Sequence, residues 1–132
     1  MTCEGVCDAR GKITGTWKQT ISLRSIHDGT SQTILAGELH IPNGQLNTIP
    51  YNGPIYNGQE LDSHTRLGGP GVPILTGADE AIGLFGYGSN HPGITNFVFT
   101  DGSTRSINNN LDSITLGQIC NREDGEIETI NQ

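Results

Sequence analysis

The alternation of apolar and polar residues predicts β-strands near the start and the end of the chain. Residues 12–18 alternate strictly, with Trp17 on the apolar side, which is the period-two pattern of a half-buried strand. Residues 21–26 are a second strand-like apolar segment, and residues 33–41 are the third predicted strand. The apolar face of that third strand carries Leu35, Leu39 and Ile41.

The middle of the chain, residues 42–93, differs because it holds all six prolines and several Asn-Gly dipeptides that favour tight turns. A structureless stretch of about fifty residues is unusual inside a compact domain. We therefore predict a loop-rich insertion that contains short strands near residues 54–60 and 81–87.

The last part, residues 94–132, contains the clearest predicted hairpin. Two strand-like runs, residues 95–100 and 103–107, flank Asp101 and Gly102. An Asp-Gly dipeptide suits a two-residue type I′ turn, in which both central residues need positive φ. The register of such a turn places two pairs opposite each other: Phe99 with Thr104, and Val98 with Arg105.

A short helix is predicted after the hairpin, followed by an acidic tail. Asp112 can cap the helix N-terminus, and Gly117 lowers the helix propensity of the segment. The apolar residues expected on this helix are Ile114, Ile119 and Cys120. The sequence thus predicts one domain over residues 1–132. It is mainly β with one short helix (α+β), built on an antiparallel sheet with long Gly-, Pro- and Asn-rich loops.

Composition and charge narrow the function classes. Nineteen glycines and only 33% hydrophobic residues exclude a coiled coil or helical bundle. A net charge of −7 leaves no basic stripe for nucleic acid. No run approaches the roughly 20 apolar residues of a membrane span, and no secretory signal is visible. The odd cysteine count (Cys3, Cys7 and Cys120) rules out a complete disulfide framework, and the spacing does not match common zinc sites. We expect no cofactor and no metal.

Several polar residues are candidates for chemistry. His91 and Asp101 would form an obvious pair, but an extended strand of roughly 23 Å separates them. Asp28 begins a polar turn without a nucleophile elbow, and it is expected to bond neighbouring amides in an Asx-type turn. Glu38 is either a buried acid with a partner or a solvent-facing residue. Residues 121–126 are either a solvated acidic tail or a calcium loop without EF-hand spacing.

Two segments of the chain resemble a bacterial family. Residues 22–38 match its first signature at seven positions: Asp28, Gly29, Thr30, Ser31, Thr33, Gly37 and Glu38. Residues 85–103 match a second signature, in which a His is followed by nine residues and then Asp-Gly: His91, Pro92, Gly93, Asn96, Asp101 and Gly102. Residues 121–126 resemble the family's end. The chain is similar, over about residues 5–130, to prepilin-type proteins bearing a His-x(nine)-Asp-Gly domain. These are mostly planctomycete proteins of unknown function.

The resemblance implies an exported, envelope-associated, pseudopilin-like protein with no established catalytic residue or cofactor. Its β-rich globular head is expected to be either pilin-head-like or a small sandwich. Family members begin with a prepilin signal and a long apolar helix, which this sequence lacks, so we expect it to correspond to the head portion. The chain departs from the family at Ile94, where a second Gly is usual. It also has Thr104 and Ser106 where the hairpin is usually more apolar. We expect these two polar residues to leave fewer apolar side chains in the local core.

Three functions follow as hypotheses. The first is a non-enzymatic structural or adaptor module, whose partners are other envelope or pilin-like proteins, including a second copy bound through an uncovered sheet face. The alternative is a carbohydrate- or ligand-binding β module that uses the middle loops with Trp17, Tyr51 or Tyr56. The third is a hydrolase in which the fold brings His91 to Asp28, Glu38 or Asp101.

Overall fold

The computed structural model describes residues 21–47, 65–77 and 86–126. The elements in these ranges are, in chain order, a 3-10 helix η1 (Leu23–Ser25), β1 (Ile34–Gly37), β2 (Leu75–Thr76), β3 (Gly88–Ser89), β4 (Ile94–Phe99), β5 (Thr104–Asn108) and an α-helix α1 (Ser113–Cys120). Strands β1, β4 and β5 form an antiparallel sheet in the order β1-β4-β5. The predicted mainly β class, with one short helix and an antiparallel sheet, is confirmed.

Strand β4 lies at the centre of the sheet because its residues alternate between core and surface. Thr95, Phe97 and Phe99 are buried, and the residues between them are partly exposed. The two phenylalanines meet apolar residues from β1, β5 and α1: Ile34, Ile107, Leu116 and Ile119. Each fully buried side chain of this size contributes about 1.5–3 kcal/mol, so this cluster is the main apolar stabilisation of the described region.

The hairpin β4–β5 exists, but the predicted turn and register are wrong by one residue. Val98 lies opposite Thr104, and Phe97 lies opposite Arg105. Gly102 has a φ of +86°, and its amide donates to the Phe99 carbonyl. This geometry is a three-residue loop that ends in a left-handed glycine. Asp101 does not share the positive φ that a type I′ turn requires.

Strand β1 also differs from the prediction, because it is shorter and shows the opposite face to the core. Ile34 is buried, whereas Leu35 is 65% exposed. The pairing with β4 shifts between Ile34 and Ala36, which marks a bulge that turns the extra residue away from the core. Leu39 and Ile41 lie beyond the strand and are half-buried.

Residues 21–26, predicted as strand-like, contain η1 instead. The Ser25 amide donates to the Ser22 carbonyl, and the Ser22 amide reaches the Ser25 hydroxyl. Such local bonds compete with strand pairing. Leu23 is 66% exposed, so its apolar surface does not anchor a strand to the sheet.

Helix α1 confirms the predicted cap. The Asp112 carboxylate accepts the amides of Ile114 and Thr115, both at 3.0 Å. The expected apolar face is only partly right, because Ile114 is exposed and Leu116 is fully buried. Gly117 is explained by close packing, since a β-carbon there would lie 3.0 Å from the Gly69 Cα.

The middle of the chain contributes a small parallel pair, β2 with β3, which places Leu75 opposite Gly88 and Thr76 opposite Ser89. Of the strand predicted near residues 81–87, Gly86 and Tyr87 are among the described residues, and each forms a β-bridge; residues 81–85 lie outside them. Within the described ranges, no helix has the length and apolar character needed to cross a bilayer. Several residues named in the sequence predictions lie outside the described ranges: 12–18, 54–60, Cys3, Cys7, Trp17, Tyr51 and Tyr56.

Candidate functional site

A buried carboxylate joins the first signature segment to the acidic end of the described chain. Asp28 is only 6% exposed. Its two oxygens accept the backbone amides of Asp124 at 3.0 Å and Gly125 at 2.9 Å. The His27 and Asp28 amides in turn donate to the Arg122 carbonyl, at 2.7 and 3.2 Å. Each of the segments 27–28 and 122–125 thus donates backbone hydrogen bonds to the other.

The prediction that Asp28 bonds neighbouring amides is wrong, and the local backbone explains why. Gly29 has a φ of +97°, and its carbonyl accepts both the Gln32 amide and the Thr33 hydroxyl. The turn closes through these two bonds without the aspartate. Its carboxylate is therefore available to a segment almost a hundred residues away in the chain. Ser31, at the outside of the turn, is exposed.

The same turn also binds the tip of the β4–β5 hairpin. The Thr30 carbonyl accepts the Thr100 hydroxyl at 2.7 Å and the Asp101 amide at 3.0 Å. The Thr33 carbonyl accepts the Thr100 amide at 2.9 Å. These bonds draw Thr100 out of the β4–β5 ladder and produce the longer hairpin loop. We call residues 28–33 with their partners at 100–101 and 122–125 the Asp28 junction.

A second junction lies at the opposite end of β1, around Glu38. One carboxylate oxygen accepts the Asn96 amide at 2.7 Å and the Asn96 side-chain amide at 3.2 Å. The other oxygen lies 3.0 Å from His91 Nε2. The Asn96 side-chain oxygen accepts the Ser106 hydroxyl at 2.7 Å. We call Glu38, His91, Asn96 and Ser106 the Glu38 junction. It connects the end of β1 with β4, β5 and the loop before β4.

Gly37 makes room for this arrangement. A β-carbon at this position would lie 2.6 Å from the Phe97 ring and 2.8 Å from the Tyr87 ring. These two rings pack edge to face with centroids 5.2 Å apart, a favourable aromatic geometry. Because the aromatic pair occupies the space beside Gly37, any larger residue would displace the strand that positions Glu38.

The hydrogen bonds keep Glu38 ionised. Burial raises the pKa of this carboxyl, but the Asn96 hydrogen bonds and the charge of His91 outweigh that effect and leave the pKa below its usual range. The side chains of Glu38 and His91 are 32% and 55% exposed. The pair is therefore in contact with solvent, and Glu38 acts as a hydrogen-bond acceptor.

The structure separates the other acids from His91. His91 precedes β4, whereas Asp101 follows it and accepts the Ser103 amide at 2.8 Å. Asp28 belongs to the junction at the hairpin tip. Of the three acids considered beside His91, Glu38 is the one brought within hydrogen-bond reach. The neighbouring Pro92 and Gly93 are exposed, and the Gly93 carbonyl accepts the Asn109 amide at 2.9 Å.

Comparison with known families supplies the classification. Residues 7–113 match the family model SBP_bac_10, described as "Protein of unknown function (DUF1559)". This match covers well over half of the 132 residues. The chain belongs to the DUF1559 family. No curated protein and no solved structure matches it. Both signature segments of this DUF1559 chain fall within the matched residues, and residues 121–126 lie beyond them.

The His91–Glu38 pair of this DUF1559 chain has the distance of an imidazole oriented by a carboxylate. A carboxylate can orient an imidazole as a general base, but a nucleophile must also be within reach. The Ser89 hydroxyl donates to the Ile94 carbonyl at 2.5 Å and accepts the His91 amide. Ser89 is 8% exposed, so its hydroxyl supports the backbone before β4 and is not presented to a substrate.

The side chains of Asn121 and Asp124 bond within the segment 121–126. The Asn121 side-chain oxygen accepts the amides of Arg122 and Glu123, and the Asp124 carboxylate accepts the Glu126 amide. Within residues 21–47, 65–77 and 86–126, no three His, Cys, Asp or Glu side chains converge to hold a metal ion. The calcium hypothesis therefore gains no ligand set from the described part of the chain.

The sheet surface opposite the core is exposed, and its apolar residues lie beside Glu38 and Asn96. Leu35 is 65% exposed and Ile94 is 38% exposed. Ala36 and Val98 lie opposite each other on this side, next to Thr104. We call Leu35, Ala36, Ile94, Val98 and Thr104 the outer sheet face. It exists because the bulge in β1 directs two successive residues outward.

Sequence reasoning missed the role of Arg122. Its carbonyl binds the Asp28 segment, and its guanidinium reaches the Ser25 carbonyl at 3.3 Å and Glu123 at 3.0 Å. No spacing or periodicity signals a partnership between residues so far apart in the chain. The polar pair Asn96 and Ser106 lie opposite each other on adjacent strands. The predicted register is off by one residue and places Asn96 opposite Ile107, so it conceals this pair.

Proposed function

We propose that this DUF1559 chain is a non-catalytic, pseudopilin-like head domain. It serves as a structural or adaptor module of an exported bacterial envelope or secretion-type assembly. The observation that carries this proposal is the partner of the Asp28 carboxylate. Its two oxygens bind the backbone amides of Asp124 and Gly125, so they are directed at the protein itself and not at a substrate. A signature acid that fixes the chain to itself supports a structural role.

The second junction supports the same role. Glu38 accepts hydrogen bonds from Asn96 through one oxygen and approaches His91 through the other. Both carboxylate oxygens therefore have protein partners. A carboxylate that acts as a general base or nucleophile needs an oxygen directed at the reacting atom.

We further propose that the partners are other envelope or pilin-like proteins, including a second copy, bound through the outer sheet face. Exposed apolar residues that form a contiguous surface often mark interaction sites. The resemblance to prepilin-type proteins supports export to the cell envelope, and the described residues contain no membrane-spanning helix.

Fractionation and cross-linking in the native cell test this function. An epitope-tagged chain should appear in the envelope fraction, and a photo-cross-linker at Leu35 should capture an envelope protein or a second copy. Leu67 is 54% exposed and lies outside the outer sheet face, so a cross-linker there is the matched control. Recovery in the cytoplasm, or equal capture from both positions, would contradict the proposal.

A substrate panel tests the non-catalytic part separately. The purified chain should show no turnover of ester, peptide or glycoside substrates above buffer. The variants His91→Ala and Glu38→Gln should behave identically to the parent chain. Turnover that disappears in both variants would establish the hydrolase hypothesis.

A further inference from the structure

A small groove lies between residues 39–46 and the end of β3, at Ser89 and Asn90. Its volume is about 190 Å³. Leu39, Ile41 and Leu46 provide the apolar part of its lining, and Asn43 and Asn90 provide side-chain amides. No charged side chain of the described residues lines it, although the whole chain carries a net charge of −7.

The apolar wall is held in place by an unusual turn. The Gln45 amide donates to the Pro42 carbonyl at 3.0 Å. Asn47 has a φ of +64°, and it is the one non-glycine residue of the described ranges with positive φ. Leu46, between them, remains 66% exposed. A leucine kept in solvent by a left-handed neighbour is available to contact a ligand.

The two amides converge from separate loops. A β-carbon added at Gly77 would overlap the Asn90 side-chain oxygen and would lie 3.4 Å from the Asn43 side-chain oxygen. Gly77 therefore makes the space in which these amides come together. Neither side chain forms a hydrogen bond with another described residue. Each carboxamide can both donate and accept, so their hydrogen-bonding capacity is available.

We propose that this groove binds a neutral, hydroxyl-bearing ligand, with one sugar ring as the unit it accommodates. An apolar wall suits the C–H face of such a ring, and paired carboxamides suit adjacent hydroxyl groups. The volume is below the usual 300–1,000 Å³ of drug-sized pockets, so a single ring fits better than a longer ligand. The uncharged lining disfavours ionic ligands. This proposal does not depend on the proposed function.

Saturation-transfer NMR on the whole chain tests the groove, with methyl β-D-glucopyranoside as the neutral probe and methyl β-D-glucuronide as its anionic counterpart. The neutral probe should bind with a Kd on the order of 1 mM, and the anionic probe more weakly. Asn90→Ala should weaken binding about tenfold, which corresponds to roughly 1.4 kcal/mol. Asn110→Ala changes an exposed Asn outside the groove and should have no effect.

A second variant guards against an indirect effect of the first. Gly77→Ala fills the space beneath the two amides and should also weaken binding, while the Tm of each variant reports whether the fold is intact. Absence of transfer from the neutral probe would overturn the proposal. Equal or tighter binding of the anionic probe, or unchanged binding in both groove variants, would overturn it too.

Discussion

Replacing Asp28 with Asn tests the Asp28 junction directly. The carboxylate is 6% exposed and accepts two amides, at 3.0 Å from Asp124 and 2.9 Å from Gly125. Asn keeps one acceptor oxygen, but its NH2 group then faces the second backbone N–H. One charge-assisted bond is replaced by a contact between two donors. Hydrogen bonds to charged groups contribute roughly 1.5–3 kcal/mol each.

We therefore expect Asp28→Asn to lower the free energy of unfolding by about 2 kcal/mol. Asp28→Ala should lower it by about 3 kcal/mol, because both bonds are lost but the exposed loop amides regain water. Urea denaturation measures both values. For a chain of this size, 2 kcal/mol corresponds to a fall in Tm of roughly 5–10 °C.

Hydrogen exchange locates the effect. The amides of Asp124 and Gly125 should lose protection in Asp28→Asn before the sheet amides do, because their acceptor is the changed group. Asp101→Asn is the matched control: its carboxylate is exposed and accepts one amide within its own turn. That variant should change stability by less than about 1 kcal/mol.

The reasoning fails if Asp28→Asn unfolds within about 0.5 kcal/mol of the parent chain. It also fails if the Asp124 and Gly125 amides keep their protection. Either result would mean that Asp28 is dispensable for the fold, and a chemical role for this signature acid would then become the better explanation.

Three further predictions concern other positions. Gly117→Ala should destabilise the chain by about 1 kcal/mol in urea despite the better helix propensity of Ala, because the new methyl group would lie 3.0 Å from the Gly69 Cα. Gln118→Ala, on the same helix, is the control. The folded state lowers the pKa of Glu38 below its unfolded value of 4.5. Ionised Glu38 therefore stabilises the fold above pH 4.5, and this stabilisation is lost as the pH falls through the folded pKa. Urea denaturation at a series of pH values should show a smaller loss of stability in acid for Glu38→Gln than for the parent chain. Burial raises the pKa of Cys120 to about 12, so alkylation at pH 8, followed by peptide mass spectrometry, should be much slower in the folded chain than in urea.

Local pattern was sufficient to predict the hairpin and the helix. The alternation through Phe97 and Phe99 places both rings in the core, and Asp112 caps α1 as its position before the helix suggests. Both features depend on residues close together in sequence. The predicted β4–β5 register is wrong because Thr100, at the hairpin tip, donates its hydroxyl to the carbonyl of Thr30, which lies seventy residues earlier in the chain.

The two junctions could not be predicted in detail for the same physical reason. Asp28 binds amides near residue 124, and Glu38 binds Asn96. Backbone amides carry no residue identity, so no sequence feature marks them as partners. Strict strand alternation predicts Leu35 on the apolar face with Leu39 and Ile41, whereas the bulge in β1 turns Leu35 outward.

These contacts explain the spacing between His91 and Asp101 in the second signature. Strands β1 and β4 are antiparallel, so the residues before one strand meet those after the other. Thr30, before β1, binds Asp101 after β4, while Glu38, after β1, binds His91 before β4. The His-x(nine)-Asp-Gly interval is therefore the length of β4 plus its two connections to the partner strand. Because a residue inserted in either strand would break one of the two junctions, the interval itself specifies the register of the sheet, with no need for His91 and Asp101 to meet.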